Sequence, residues 1–291
     1  MTFETLQALG TRIEDAFFII GSCILLIEVA ECLFKGRPKG RGLWEMAVSF
    51  STQIPTLAFD VFIFSGAYVL YYIIAQSVVP WAIPVNGWTA ALAIIVADFF
   101  YYWEHRTAHQ IRLFWTQHAV HHSSRDYNIA TALRFGPMES VWSLIAHLPM
   151  VFLGFPPELI FFGILSVLAY QTWLHTQLIG RLGIVELIFN TPSHHRVHHG
   201  CDAKYLDKNY AGVLIIWDRI FGTFQVEEET PCYGLKREFN SQNPVRVWFS
   251  EVPGLWRDLR STGSFKEGFM LLFRSPNWRP NKPRGQQIAA E

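Results

Sequence analysis

The sequence predicts an all-α protein, an integral membrane bundle of four to five membrane helices with a cytosolic helical cap that carries a histidine-rich site. Three observations predict this architecture. Apolar residues make up 51% of the 291 residues and charged residues only 16%, against about 25% charged residues in ordinary soluble domains. The apolar residues are concentrated in stretches that suit a bilayer. All 11 histidines lie between His105 and His199, most of them in the polar segments that follow predicted membrane helices.

The first two predicted membrane helices cover residues 16–34 and 56–79, each close to the roughly 20 residues that a crossing needs. Glu28 and Glu31 are expected to mark the interfacial end of the first helix, because charge is costly in hydrocarbon. This helix lacks the basic start and cleavage site of a signal peptide. Residues 35–41 contain four Lys and Arg, whereas the loop at the other end of the second helix, residues 78–87, contains none. The positive-inside rule therefore places residues 35–41 in the cytoplasm.

The later predicted membrane helices cover residues 88–103, 141–153 and 159–174. The segment Gly154-Phe-Pro-Pro157 joins the last two and suits a tight helical hairpin, which returns to the side that it left. Counting crossings from the cytosolic residues 35–41 brings the chain back to the cytosol at His105 and again after residue 174. One topology thus puts every histidine cluster on the cytosolic face.

The predicted organisation is one membrane domain, residues 1–230, followed by a more polar cytosolic or interfacial tail, residues 231–291. Within the tail, residues 245–259 and 265–273 look amphipathic and are expected at the membrane surface. The formal net charge is zero, so nothing suggests a nucleic-acid partner. The four cysteines do not form a disulfide framework, since cytosolic thiols stay reduced.

Three histidine clusters indicate a polynuclear metal site. Residues three and four positions apart share a helix face, so each cluster can aim several imidazoles one way. Imidazole is the commonest protein ligand of transition metals, and three such faces brought together can enclose two ions. His175, after the fifth apolar stretch, is a further candidate, whereas His147 is expected to be a packed residue. The clusters are His105 with His109, His118 with His121 and His122, and His194 with His195, His198 and His199.

The motifs HxxxH, HxxHH and HxxHH, in this order among membrane helices, resemble the fatty acid hydroxylase/sterol desaturase superfamily. Residues 121–134 and 190–224, the basic segment 35–41 and the segment 276–285 resemble the alkylglycerol monooxygenases within it. The resemblance implies a centre of two iron ions. The implied ligands are His105, His109, His118, His121, His122, His195, His198 and His199, with His175 and His194 as additions. The resembling segments also contain polar residues that are expected to contact either the ligands or a lipid headgroup, namely Arg134, Asn190, Asn209, Tyr210 and Asp218.

The resemblance also implies an enzyme that uses O2 and an external two-electron donor on a lipid substrate. No dinucleotide fingerprint is apparent in the sequence. Electrons are therefore expected from a separate reductase, a cytochrome-type carrier or a reduced pterin such as tetrahydrobiopterin. The leading hypothesis is hydroxylation of an alkylglycerol, sterol or fatty-acyl lipid. Desaturation at the same centre is the nearest alternative. A metal-binding transporter or sensor is the alternative from another class, and it is less favoured because transporters place ionisable groups at the bilayer midplane.

Overall fold

The computed structural model describes residues 1–34, 41–237 and 239–279. Within these ranges the chain is helical, and its β-structure is limited to two isolated bridges, Phe189 with Leu214 and Gly200 with Tyr233. The predicted all-α class is therefore confirmed. Most of the basic segment 35–41, on which the predicted orientation depends, lies outside the described residues, as does much of the segment 276–285.

In the part of the chain that the structure describes, three helices are long and apolar enough to cross a membrane. They are α1 (Phe3–Phe34) and α2 (Arg41–Val78), and α7 (Pro157–Gln171), which a short 3-10 turn extends to Leu174. Helices α1 and α2 begin well before the predicted stretches, because their first turns are polar yet still helical. Only 6% of the most apolar window of α2 is buried inside the protein, which leaves most of its apolar surface for lipid.

The other two predicted membrane stretches are helical but fall outside this set of three. Helix α3 (Gly87–Gln110) starts at a capping box in which Asn86 and Thr89 bind each other's backbone. It runs past residue 103 and so carries His105 and His109. The stretch 141–153 divides into α5 (Glu139–His147) and α6 (Pro149–Phe152), because Pro149 lacks the N–H that a continuous helix needs.

The predicted hairpin between α6 and α7 is present. Gly154 makes the turn with a positive φ of 91°, and a Cβ there would lie 2.5 Å from Cδ1 of Trp81. Only glycine satisfies both conditions. After the turn, α7 packs tightly on α3, where a Cβ on Gly163 would lie 2.6 Å from the carbonyl oxygen of Ala93.

The cap that follows these helices is built from short elements. Helix α4 (Arg112–His122) starts directly after α3 at Ile111, and α8 (Pro192–His198) begins at a proline, which suits a first helical turn. 3-10 turns at Ile129–Leu133 and Gly183–Leu187 and the short α9 (Ile216–Ile220) complete the cap.

The C-terminal segment folds back on the cap through α10 (Pro244–Trp248), α11 (Val252–Arg260) and α12 (Phe265–Phe273). Arg112 of α4 donates its backbone N–H to Arg274, at 2.9 Å, and its guanidinium binds Asp258. The predicted division at residue 230 stays a prediction.

Candidate metal centre

Nine of the ten histidines predicted as ligands lie together in two adjacent groups. Within each group the candidate ligand atoms all lie within 4.8 Å of one another. The first group is His105, His109, His118, His122 and His198; the second group is His121, His175, His195 and His199. Helix α3 carries two members of the first group, and His175 directly follows the 3-10 turn that extends α7. The other members lie on α4 and α8 or, for His199, directly after α8.

Helix geometry sorts the histidines between the groups. On α4, His118 and His122 enter the first group and His121 enters the second. At α8, His195 and His199 enter the second group and His198 enters the first. Residues four apart differ in direction by only about 40°, whereas residues three apart differ by about 60° to the other side. The spacing alone predicts one face for each cluster; the structure instead divides two of the three clusters between both groups.

The Nε2 atoms converge at distances that suit a shared ion. In the first group, Nε2 of His118 lies 3.0 Å from that of His105 and 3.2 Å from that of His122. Bound nitrogens lie about 2.1 Å from a metal such as zinc, so two of them at right angles are about 3.0 Å apart. The chemistry of the donor set, neutral imidazole, suits iron, copper, nickel or zinc.

The second group converges in the same way. Nε2 of His175 lies 3.1 Å from that of His121 and 2.8 Å from that of His195. Nε2 of His195 lies 3.2 Å from that of His199. The groups adjoin each other, and the rings of His122 and His199 stack across their boundary with centroids 4.3 Å apart. Residues of both groups therefore fit two neighbouring metal ions.

Hydrogen bonds at the far ring nitrogen fix which nitrogen faces the centre. Nδ1 of His105 donates to the Tyr210 carbonyl at 2.8 Å, that of His175 to Gln171 at 3.1 Å, and that of His198 to Lys208 at 2.9 Å. A ring whose Nδ1 carries the proton presents a lone pair at Nε2. These three rings are thus set in the tautomer that binds a metal through Nε2.

The carboxylate of Glu139 accepts the Nδ1 proton of His118, so the Nε2 atom of this ring also faces the centre. Its Oε1 lies 2.5 Å from Nδ1 of His118, and its Oε2 accepts the backbone N–H of Gly136 at 3.3 Å. A carboxylate in this position orients an imidazole and raises its basicity. The sequence reasoning missed Glu139, because it starts α5 like an ordinary helix-capping acid and lies 21 residues from its partner.

Burial favours the uncharged form of eight of these imidazoles. It lowers the pKa of His175 and His198 to about 3. Burial, followed by the neighbouring imidazoles, lowers the pKa well below the ordinary value for His105, His109, His121, His122, His195 and His199. Metals bind neutral imidazole. Nε2 of His109 is also buried with no hydrogen-bond partner among the described residues, and a metal in the first group would satisfy it.

Two histidines lie outside both groups. His194, predicted as an additional ligand, packs edge-on against Phe224 with ring centroids 5.3 Å apart. It follows Ser193 at the start of α8, where its neighbours His195 and His198 turn toward the centre. His147 lies on α5 with its ring nitrogens 2.8 Å and 3.1 Å from the carbonyls of Ser143 and Ala97. This arrangement agrees with its predicted role as a packed residue.

A loop between α8 and α9 supplies the backbone carbonyls that hold two rings of the first group, those of His105 and His198. Asp207 and Asn209 adopt positive φ values of 58° and 54° on either side of Lys208, a conformation that Asn and Asp tolerate best after glycine. Asp218 accepts the backbone N–H groups of Tyr210 and Ala211, each at 2.8 Å. The predicted contact residues Asn209 and Tyr210 therefore lie in the loop whose carbonyls bind His105 and His198, and Asp218 holds the backbone of that loop.

The first membrane helix reaches the second group through Glu28. Its side chain is only 6% exposed, and it accepts the backbone N–H of Ile129 at 2.7 Å and the hydroxyl of Thr176 at 2.6 Å. Thr176 directly follows His175. Glu28 thus does more than mark a helix end, because tertiary contacts bury its carboxylate and use both of its oxygens.

A cavity of about 560 Å³ adjoins both groups. His105 and His118 of the first group and His121 and His175 of the second line one part of its wall. Its wall elsewhere comes from α2, α3, α4, α5 and α7 and includes the apolar side chains of Phe64, Phe114, Trp142, Ile145 and Leu168. A molecule with an aliphatic chain can thus reach both candidate metal positions from one space.

Comparison with known proteins identifies the family. Residues 90–223 match the fatty acid hydroxylase family. The chain is 40% identical over 288 residues to alkylglycerol monooxygenase of Homo sapiens and 38% identical over 288 residues to that of Xenopus tropicalis; both alignments cover 97% of this chain and 63% of the relative. It is 34% identical over 135 residues to ornithine lipid hydroxylase OlsE of Rhizobium tropici, covering 46% of this chain and 40% of that protein.

The chain spans less than two thirds of the length of these relatives, and no solved structure matches it significantly. The family match nevertheless covers the first two histidine clusters, α7 and the third cluster. The matched region, residues 90–223, is the part of the chain that builds both groups, and this region is therefore a fatty acid hydroxylase domain.

Proposed function

We propose that this protein is a membrane lipid hydroxylase that uses two iron ions, O2 and an external two-electron donor to oxidise an unactivated C–H bond. The observation that carries the proposal is the convergence of nine imidazoles in two groups, four of which line one cavity that also has an apolar part. The names of two relatives, alkylglycerol monooxygenase and ornithine lipid hydroxylase, support a lipid substrate.

The proposed ligands of one ion are His105, His109, His118, His122 and His198, and those of the other are His121, His175, His195 and His199. His194 lies outside both sets and is left out of the proposal. Two iron ions held there would supply the redox chemistry that an inert C–H bond requires, since acid–base groups alone do not attack such a bond.

The protein's own contribution is to orient the ligands and to exclude water. Backbone carbonyls and Glu139 hold the protons on Nδ1, so the lone pairs on Nε2 face the centre. Phe114 and Trp142 line the cavity as a stacked pair with centroids 3.8 Å apart. A dry wall beside the metals keeps a reactive site from side reactions with water.

We further propose an alkylglycerol as the substrate, because the human and Xenopus relatives bear that activity in their names. Electrons come from a separate donor, which is a reductase, a cytochrome-type carrier or tetrahydrobiopterin. The centre lies on the cytosolic side, an orientation that rests on the positive charges of residues 35–41.

The test is turnover by purified protein reconstituted in lipid nanodiscs and loaded with ferrous iron. With a reductant and hexadecylglycerol, O2 uptake should depend on the lipid, and mass spectrometry should find the oxygenated lipid or the aldehyde from its cleaved ether. The variants His121→Ala and His198→Ala, one from each group, should insert into membranes yet yield no product. A product that has lost two hydrogens would support a desaturase instead, and O2 uptake with no lipid product would contradict the proposal.

A further inference from the structure

A stripe of side chains on α2 forms one wall of the cavity. Gln53, Thr56, Asp60 and Phe64 all line it, and their spacing of three and four residues puts them on one helix face. The stripe passes from an amide through a hydroxyl and a carboxyl group to an aromatic ring. At 1.5 Å per residue, Gln53 and Asp60 lie about 10 Å apart along the helix. The cavity wall therefore has a polar part long enough for a lipid head as well as an apolar part for the chain.

Among the residues that the structure describes, Gln53 is the member of this stripe whose amide oxygen has no hydrogen-bond partner. Its Oε1 atom is buried and accepts no hydrogen bond from any described residue. Other polar side chains of the wall are engaged: Thr56 donates to the Thr52 carbonyl, and Ser140 donates to Asp60. A buried, unpaired amide oxygen is costly, and such a group in a native structure calls for an explanation. A hydroxyl group of a bound molecule would complete its hydrogen bonding.

The acidic side chains of the cavity wall restrict the charge that the headgroup of a bound molecule can carry. Three carboxyl groups, those of Asp60, Glu104 and Glu139, line the cavity, and the described lining residues include neither Lys nor Arg. A phosphate group buried beside Asp60 would face like charge without a counter-ion. Metal ions in the two groups could bind a phosphate, but that phosphate would then occupy the position that the carbon to be oxidised must take. A lipid bound in this way could not react.

We propose that Gln53 and Asp60 form a headgroup subsite that hydrogen-bonds the hydroxyl groups of an uncharged lipid and discriminates against a phosphate-bearing head. This inference rests on the proposed function, since it names the class of lipid that the same cavity takes. Asp60 accepts a hydroxyl proton while Ser140 holds it in place, and Gln53 binds a second hydroxyl group farther along the head.

The experiment measures equilibrium binding of two radiolabelled lipids of equal chain length, hexadecylglycerol and hexadecylglycerol phosphate, to the iron-loaded protein in nanodiscs. The wild-type protein should bind the uncharged lipid at least about tenfold more tightly. Gln53→Leu should weaken its binding about tenfold, the typical effect of losing one buried hydrogen bond. Asp60→Asn keeps a partner for Ser140 but removes the charge, and it should reduce the discrimination against phosphate. Gln76→Leu, the same exchange at an exposed position of α2 outside the cavity, is the matched control.

Iron content and unfolding temperature should match the wild type in each variant, which separates loss of binding from loss of the fold. Equal affinity of the wild-type protein for both lipids, no measurable binding of either, or unchanged binding in Gln53→Leu would overturn the subsite. Selective binding of hexadecylglycerol that is never oxidised would support the subsite and contradict the proposed function, so the two failures are distinguishable.

Discussion

Replacing Glu139 by Gln should weaken metal binding in one group of histidines and spare the other. In the structure Glu139 bonds Nδ1 of His118 at 2.5 Å, and His118 belongs to the first group alone. The amide of Gln is nearly isosteric and its oxygen still accepts the proton, so the change removes the charge and little else. Exchange of such an orienting carboxylate typically costs ten- to a hundredfold in metal affinity. At about 1.4 kcal/mol for each factor of ten, the expected loss is roughly 1.4 to 2.8 kcal/mol.

The assay is a titration of metal-free protein with ferrous iron against a competing chelator under anaerobic conditions. The wild-type protein should take up two ions, and Glu139→Gln should shift one of the two dissociation constants by the expected factor while leaving the other in place. Glu158→Gln, at an acidic residue in the first turn of α7 that belongs to neither group, is the control. An equal shift in both constants, or none, would refute the assignment of His118 and Glu139 to one separate group.

Three further predictions concern the second group, the charge state of the histidines and the helix packing. Glu28→Gln should lower the iron content from two ions to one, measured by elemental analysis of protein that still inserts, because Glu28 holds the segment that follows His175; retention of both ions would contradict this role. Metal-free protein should lose stability as the pH falls below about 6.5, by up to about 1.4 kcal/mol per pH unit for each buried histidine. The sign follows because the folded pKa of His175 and His198 is about 3, so the unfolded chain takes up protons that the folded chain does not; an unfolding temperature equal at pH values of about 7.5 and 5.5 would exclude it. Gly163→Val should destabilise the protein by about 1–3 kcal/mol, since its Cβ would meet the Ala93 carbonyl; thermal unfolding in detergent, with Gly66→Val in open space on α2 as the control, measures it.

Local spacing was sufficient to predict the histidine helices and the hairpin. His105 with His109, and His118 with His122, are paired by the period of the helix, and that period is fixed by the backbone. Gly154 followed by two prolines likewise indicates its turn without knowledge of the rest of the fold. These features are visible in sequence because their partners lie within a few residues.

The residues that complete the centre were not visible in this way. Glu139 and His118 are 21 residues apart, and Glu28 and Thr176 are 148 residues apart. Each acid taken alone resembles a helix-capping residue or a helix end near the membrane surface. The division of the clusters between two groups depends on how α4 and α8 face each other, which no single helix period determines. Spacing also predicts His194 as a ligand, because it lies four residues before His198, the same separation as between His118 and His122 of the first group. The spacing does not show that the His194 ring packs on Phe224 instead.

The claim on which the account depends is that the two groups of imidazoles bind two iron ions. X-ray absorption at the iron edge of purified, iron-loaded protein, combined with elemental analysis, examines it most directly. The account predicts two irons per chain, surrounded by nitrogen neighbours at about 2.1 Å with the outer-shell scattering of imidazole rings. Iron surrounded mainly by sulfur, or one iron per chain that survives the loss of either His121 or His198, would contradict it.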